Sequence, residues 1–222
     1  MRNKSIVLVL QKGSSDSKIA SARVLQFIAA DVESKLLIGE NDGVLLELVN
    51  LIAPDNDAAV IESGLSCLIA LSTPKRNKTK LVNLGIVKTL SSILSESKWS
   101  VSVTEKALKL LETVSSSKEG RSAICEDPNC LAAILQKVLK VSATATETAV
   151  TVLWSVLYPF RDQKAQESVT KANGLTKILL LMQSNCSPGV RQMCADLLKI
   201  FRVNSKSCLS CYHTETTHIM PF

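Results

Sequence analysis

Only two histidines occur in this 222-residue chain, His213 and His218, and both lie within the last ten positions. The sequence before them therefore lacks the imidazole on which Ser–His–Asp and Cys–His catalysis depend. Aromatic residues make up 4%, so a core must be built from Leu, Ile, Val and Ala. Eight glycines and six prolines are few and scattered, which excludes a Gly-rich phosphate loop and leaves room for long helices. No apolar run approaches the ~20 residues that cross a bilayer. The opening apolar block, Ile6–Leu10, is shorter than the ~7–15 residues of a secretory core segment. Seven cysteines, an odd number without framework spacing, read as free thiols of a reducing, cytoplasmic compartment. The net charge of +6 is mild, spread out and decides nothing alone.

What is there is a period. In Lys98–Ser117, the residues Trp99, Val103, Ala107, Leu110, Leu111 and Val114 recur at steps of three and four, one stripe of an α-helix. Leu111 aligns with Leu25, Leu68, Leu153 and Leu198 at intervals of 43, 43, 42 and 45 residues along the chain. Four positions before each anchor stands a small residue: Ser21, Gly64, Ala107, Ala149 and Cys194. A large side chain there would push the neighbouring helix away, so five in register mark a repeat.

A second series supports the first. Apolar helices open at Gly43, Gly85, Asn129 and Gly174, at spacings of 42, 44 and 45. The turn before each needs a left-handed residue, which Gly adopts freely and Asn tolerates. Polar breaks such as Ala53–Asn56 and Ser184–Pro188 separate these helices from the anchor helices. Three helices per period of about 40–47 residues predict an all-α, armadillo-type right-handed solenoid. The expected units are one partial repeat, 1–30, and four full ones, 31–72, 73–116, 117–160 and 161–204; residues 205–222 form a polar tail.

The strings Arg76–Val87, Glu105–Ile124 and the ending Thr216–Phe222 resemble the carboxy-terminal armadillo region of plant U-box ubiquitin ligases. The resemblance covers essentially the whole chain. It implies a protein-binding module in ubiquitination, with a U-box upstream to recruit the ubiquitin-conjugating enzyme and carry the ligase activity. No such segment is found here, so the expectation is a truncated member or a competitor of full-length relatives, inactive as a ligase alone. A scaffold unrelated to ubiquitin is the alternative; a self-sufficient enzyme has no residues to stand on.

Candidate sites are few. Cys208, Cys211, His213 and His218 have too little chain between their pairs to wrap a zinc ion, so no metal or cofactor is expected. Lys75, Arg76, Lys78 and Lys80 form the densest basic cluster; it leaves nuclear entry open but reads best as a solvated helix face. Nucleic-acid binding would also need interleaved aromatics, and Trp99 and Trp154 fall where core packing explains them. The groove lined by the third helices is the site expected to take a protein partner or ubiquitination substrate. Its candidate residues stand two before and two after each anchor: Arg23, Ser66, Lys109, Thr151 and Asp196, with Phe27, Ala70, Thr113, Ser155 and Ile200. None is Asn or Trp, which sets the groove apart from the Asn and Trp ladders of nuclear-import adaptors. Arg23 and Lys109 suggest a track for an acidic or phosphorylated segment.

Overall fold

The computed structural model describes residues 2–41, 43–160 and 162–209, which fold into helices without strands. Helices α1 (Arg2–Lys12) and α2 (Ser15–Ile28) open the chain as a two-helix unit. Three-helix units follow. The first is α3 (Val32–Glu40), α4 (Val44–Leu51) and α5 (Ala58–Leu71), the second α6 (Lys75–Asn83), α7 (Ile86–Ser95) and α8 (Val101–Ser115). The third is α9 (Lys118–Glu126), α10 (Cys130–Lys137) and α11 (Ala143–Phe160), the last α12 (Gln163–Lys171), α13 (Gly174–Gln183) and α14 (Pro188–Leu209). This is the armadillo solenoid that the period predicts.

The anchors hold the stack. Leu68, Leu111 and Leu153 are fully buried, and Leu25 and Leu198 nearly so, each worth about 1.5–3 kcal/mol of apolar burial. Their small companions permit close approach: a Cβ on Gly64 would meet Ile52 Cγ2 at 2.7 Å. Ala107, Ala149 and Cys194 are equally buried. Polar N-caps start the helices, with Ser14, Ser100 and Ser142 accepting from Ser17, Val103 and Ala145 amides, and Asp31 and Asp162 from Ser34 and Ala165.

Two local expectations are revised. Trp99 is not part of the anchor stripe: Ser100 caps α8, and Trp99 lies before it, half-buried, with Lys98 Nζ 4.5 Å from its ring centroid. The turns into the second helices are left-handed at Gly43 (φ 91°) and Gly85 (φ 80°), but Asn129 has φ −104°. There the Asp127 carboxylate takes the Asn129 and Cys130 amides at 3.0 and 2.7 Å and turns the chain itself. In the last unit the left-handed residue is Asn173 (φ 57°), and Gly174 already begins the helix.

Successive third helices, α2, α5, α8, α11 and α14, pack side by side throughout, whereas among second helices only α1–α4 and α7–α10 are closely packed. A stack that is tighter on one side curves toward it, so the third helices form the inner wall. Helix α14 continues to Leu209, past residue 204. The Cys208–His218 cluster lies outside the described side chains.

Candidate protein-binding wall

At about 100° per residue, the exposed stripe of each third helix is centred on the position two before the anchor. It also takes in the residues six before, one after and five after. On α8 and its C-cap this gives Glu105, Lys109, Glu112 and Ser116; on α11, Glu147, Thr151, Trp154 and Tyr158. The two-before row is where the sequence placed it. Arg23 and Lys109 are exposed, Ser66, Thr151 and Asp196 partly so.

The two-after row divides. Phe27 is 87% exposed, and Ala70 and Thr113 are half-buried. Ser155, by contrast, sits at the α8–α11 seam, its hydroxyl bonded to Ser115 Oγ at 2.9 Å, and Ile200 is buried at 5%. Ser155 is thus half-buried like Ala70 and Thr113 but with its hydroxyl turned into the seam, and Ile200 alone of the row is buried.

The cationic track for an acidic ligand is also interrupted. Lys109 Nζ pairs with Glu112 at 2.6 Å on its own helix, and Arg23 stands two helices away. The hydroxyls of Thr113 and Thr151 donate to backbone carbonyls one turn earlier. Elsewhere the basic cluster on α6 is engaged: Arg76 pairs with Glu40, Lys78 donates to Ser116 Oγ, and Lys80 to the Gly39 carbonyl.

The row six before the anchors was missed, although the same alignment contains it: Glu62, Glu105 and Glu147, spaced 43 and 42 residues apart. Glu62 accepts from Lys106 and Ser102, both at 2.6 Å, and the Lys106 bond, with that of Ser102, holds its carboxyl below the usual range. Glu105 accepts from Ser142 at 2.6 Å. Together with Ser15 on Asp57 at 2.9 Å, these bonds form rungs joining α2 to α5, α5 to α8 and α8 to α11 near their N-terminal ends.

Near the far end of the wall, Trp154 and Tyr158 stack with centroids 5.1 Å apart and planes 14° from parallel. The carboxyl of Asp196, on α14, is lowered chiefly by its bond from Lys199 at 3.1 Å. The Trp154 indole adds a smaller effect, yet its Nε1 is buried outside hydrogen-bonding geometry. Burial pushes the Cys67 thiol up to about 12 and those of Cys125 and Cys194 to about 11, so none is a nucleophile at neutral pH. No group of residues fit to hold a metal ion occurs among the described residues.

The plant U-box protein ARM repeat region family matches residues 2–219. U-box domain-containing protein 28 of Arabidopsis thaliana is 54% identical over 98% of this chain and 53% of its own length. U-box domain-containing protein 29 of the same plant is 50% identical over 98% of this chain and 54% of its own. The chain thus spans about half the length of these relatives. Among solved structures, a designed armadillo repeat protein in complex with the peptide (KR)4 superposes with a TM-score of 0.73 at 18% identity, covering 88% of this chain and 80% of that one. Computationally designed armadillo repeat proteins for modular peptide recognition give 0.77 at 16% identity, over 92% of this chain and 87% of theirs.

Proposed function

The chain belongs to the plant U-box protein family as its armadillo-repeat region, and from that premise we propose that its inner wall binds an extended segment of a protein destined for ubiquitination. The observation that carries the reading is the wall itself: five third helices side by side, each presenting one open stripe of mixed polarity. Its parts are held in place, because anchors pack each helix against the next and rungs tie α2 to α5, α5 to α8 and α8 to α11. An extended segment laid across the helices meets a new set of side chains at each one, which gives specificity along its length.

In this reading the wall selects the protein, and ubiquitin transfer belongs to a U-box with its conjugating enzyme. A chain presenting the wall alone competes with full-length relatives for the same proteins. We place this activity in the cytoplasm, where reduced thiols persist.

Selection of displayed peptide segments on the chain tests the wall. Binders are expected to be lost with Thr151→Arg plus Lys109→Glu, and retained with Lys118→Glu plus Glu119→Lys on the exposed turn of α9. Binders that ignore the first pair and respond to the second would place the site on the outer surface. Supplied with activating enzyme, conjugating enzyme, ubiquitin and ATP, the chain alone is expected to build no more ubiquitin chains than a blank.

A further inference from the structure

The charges on the wall do not cancel. Among the described side chains on the open faces of α5, α8, α11 and α14, five carboxylates (Glu62, Glu105, Glu112, Glu147 and Asp196) face three lysines. Each of these lysines is already paired: Lys106 with Glu62 at 2.6 Å, Lys109 with Glu112 at 2.6 Å and Lys199 with Asp196 at 3.1 Å. Glu105 and Glu147 have no cationic partner among the described residues. From α5 onward the described part of the wall is therefore acidic, in a chain whose net charge is +6.

Glu147 is the open rung. Glu62 takes the Ser102 hydroxyl and Glu105 the Ser142 hydroxyl, each from the next third helix or its cap. The serine in the matching place for Glu147, Ser187 before α14, makes no such bond, and Glu147 is left exposed. Two turns along the same stripe lie the stacked rings of Trp154 and Tyr158, with Tyr158 40% exposed and Asp196 beside Trp154. A broad aromatic face next to carboxylates suits a guanidinium or ammonium group, which the ring quadrupole attracts and the carboxylate neutralises.

Resting on the protein-binding reading, we propose that α8, α11 and α14 take an extended segment bearing Arg or Lys. One cation faces Glu147, and another lies on the Trp154–Tyr158 rings beside Asp196. Packed helices stand about 8–10 Å apart and an extended chain advances about 3.3 Å per residue. The row Glu105–Glu147 therefore meets every second or third residue of such a segment. The Lys199 side chain is itself exposed and its bond to Asp196 is long at 3.1 Å, so a ligand cation can take its place beside that carboxylate.

The test uses three short labelled peptides, alternating Ala with Arg, with Glu or with Ser, read by fluorescence anisotropy on the full chain. The Arg peptide is expected to bind, with affinity falling as salt rises. Glu147→Lys, at an exposed position, is expected to weaken it by about tenfold, and Asp196→Asn to weaken it without change of shape. A Trp99→Phe background leaves Trp154 as the sole tryptophan, and its emission is expected to shift when the Arg peptide binds. Tighter binding of the Glu or Ser peptide to the wall would overturn the charge assignment while leaving the protein-binding reading intact. Arg-peptide binding that ignores Glu147→Lys and leaves Trp154 emission unchanged would overturn it too. Displayed binders indifferent to every wall substitution would remove the protein-binding reading itself.

Discussion

Replacing Gly120 by Ala sets helix propensity against packing, and the structure says which prevails. Alanine inside α9 would gain about 1 kcal/mol over glycine from propensity alone. The added Cβ, however, would stand 2.1 Å from the Val114 carbonyl oxygen and 2.7 Å from its carbonyl carbon. Both are backbone atoms at the end of α8, with no rotamer by which to withdraw. Relief requires α9 to move by more than about 1 Å, an overpacking strain of about 1–3 kcal/mol. That movement also strips the Gly120 amide from Ser117 Oγ, now 3.0 Å away, a cap worth about 1 kcal/mol. The net expectation is a loss of about 2 kcal/mol, which in a chain of this size lowers Tm by about 4–8 °C. Two controls bracket it. Gly189→Ala meets nothing within 4 Å and is expected to leave Tm unchanged or slightly raised. Gly85→Ala has open space but φ 80°, and is expected to lose about 1–2 kcal/mol through conformation alone. Thermal melts followed by circular dichroism decide the matter. A Gly120→Ala chain that melts at or above the parent would refute the argument that the α8–α9 contact is closed to a methyl group.

Phe27→Ser removes a side chain that is 87% exposed, so Tm should move by about 0.5 kcal/mol equivalent or less. Any self-association through the apolar end that includes Val24, Ile28 and Leu37 should fall in sedimentation equilibrium. Native alkylation at pH 7.5 is expected to spare Cys67, Cys125 and Cys194, whose thiols stay protonated, and to reach them only on unfolding; rapid labelling of Cys67 in the folded chain would contradict its burial. Because the folded carboxyl of Glu62 lies below its unfolded value, its contribution is complete above the usual carboxylate range and disappears as pH falls through the folded value. Lys106→Ala should flatten that part of the acid-stability curve, by no more than about 1 kcal/mol for a pair still reached by solvent.

The solenoid was legible because its determinants repeat. Leu68 or Leu111 alone is one more buried leucine, but five anchors with five small residues in register leave few other folds. Single turns were less legible. Gly43 and Gly85 read directly, whereas Asp127 bends the chain with its side chain and so frees Asn129 from the left-handed region. On the wall, offsets placed symmetrically about the anchor found Lys109 and Thr151 but also gathered Ser155 and Ile200. Those two differ from Phe27 in what the rest of the stack brings to them, a seam bond for Ser155 and burial for Ile200, which one helix's sequence does not contain. Glu62, Glu105 and Glu147 stood at a regular interval and needed only a third offset to be seen. The pairing of Lys109 with Glu112 depends on rotamers, and spacing alone does not decide between that pair and a free cation.

The rungs near the N-terminal ends of the third helices have a mechanical consequence. Ser15–Asp57, Ser102–Glu62 and Ser142–Glu105 pin three successive joints at one edge of the wall, and the joint between α11 and α14 has no such pin among the described residues. A fan of rods opens first where its ribs are least tied. Torsion along the array will gather at that last joint, changing the span from Glu147 to Asp196 while the earlier spans keep their width. Whatever bridges those two carboxylates becomes the fourth rung, so occupation of the wall and the stiffness of its final joint rise together.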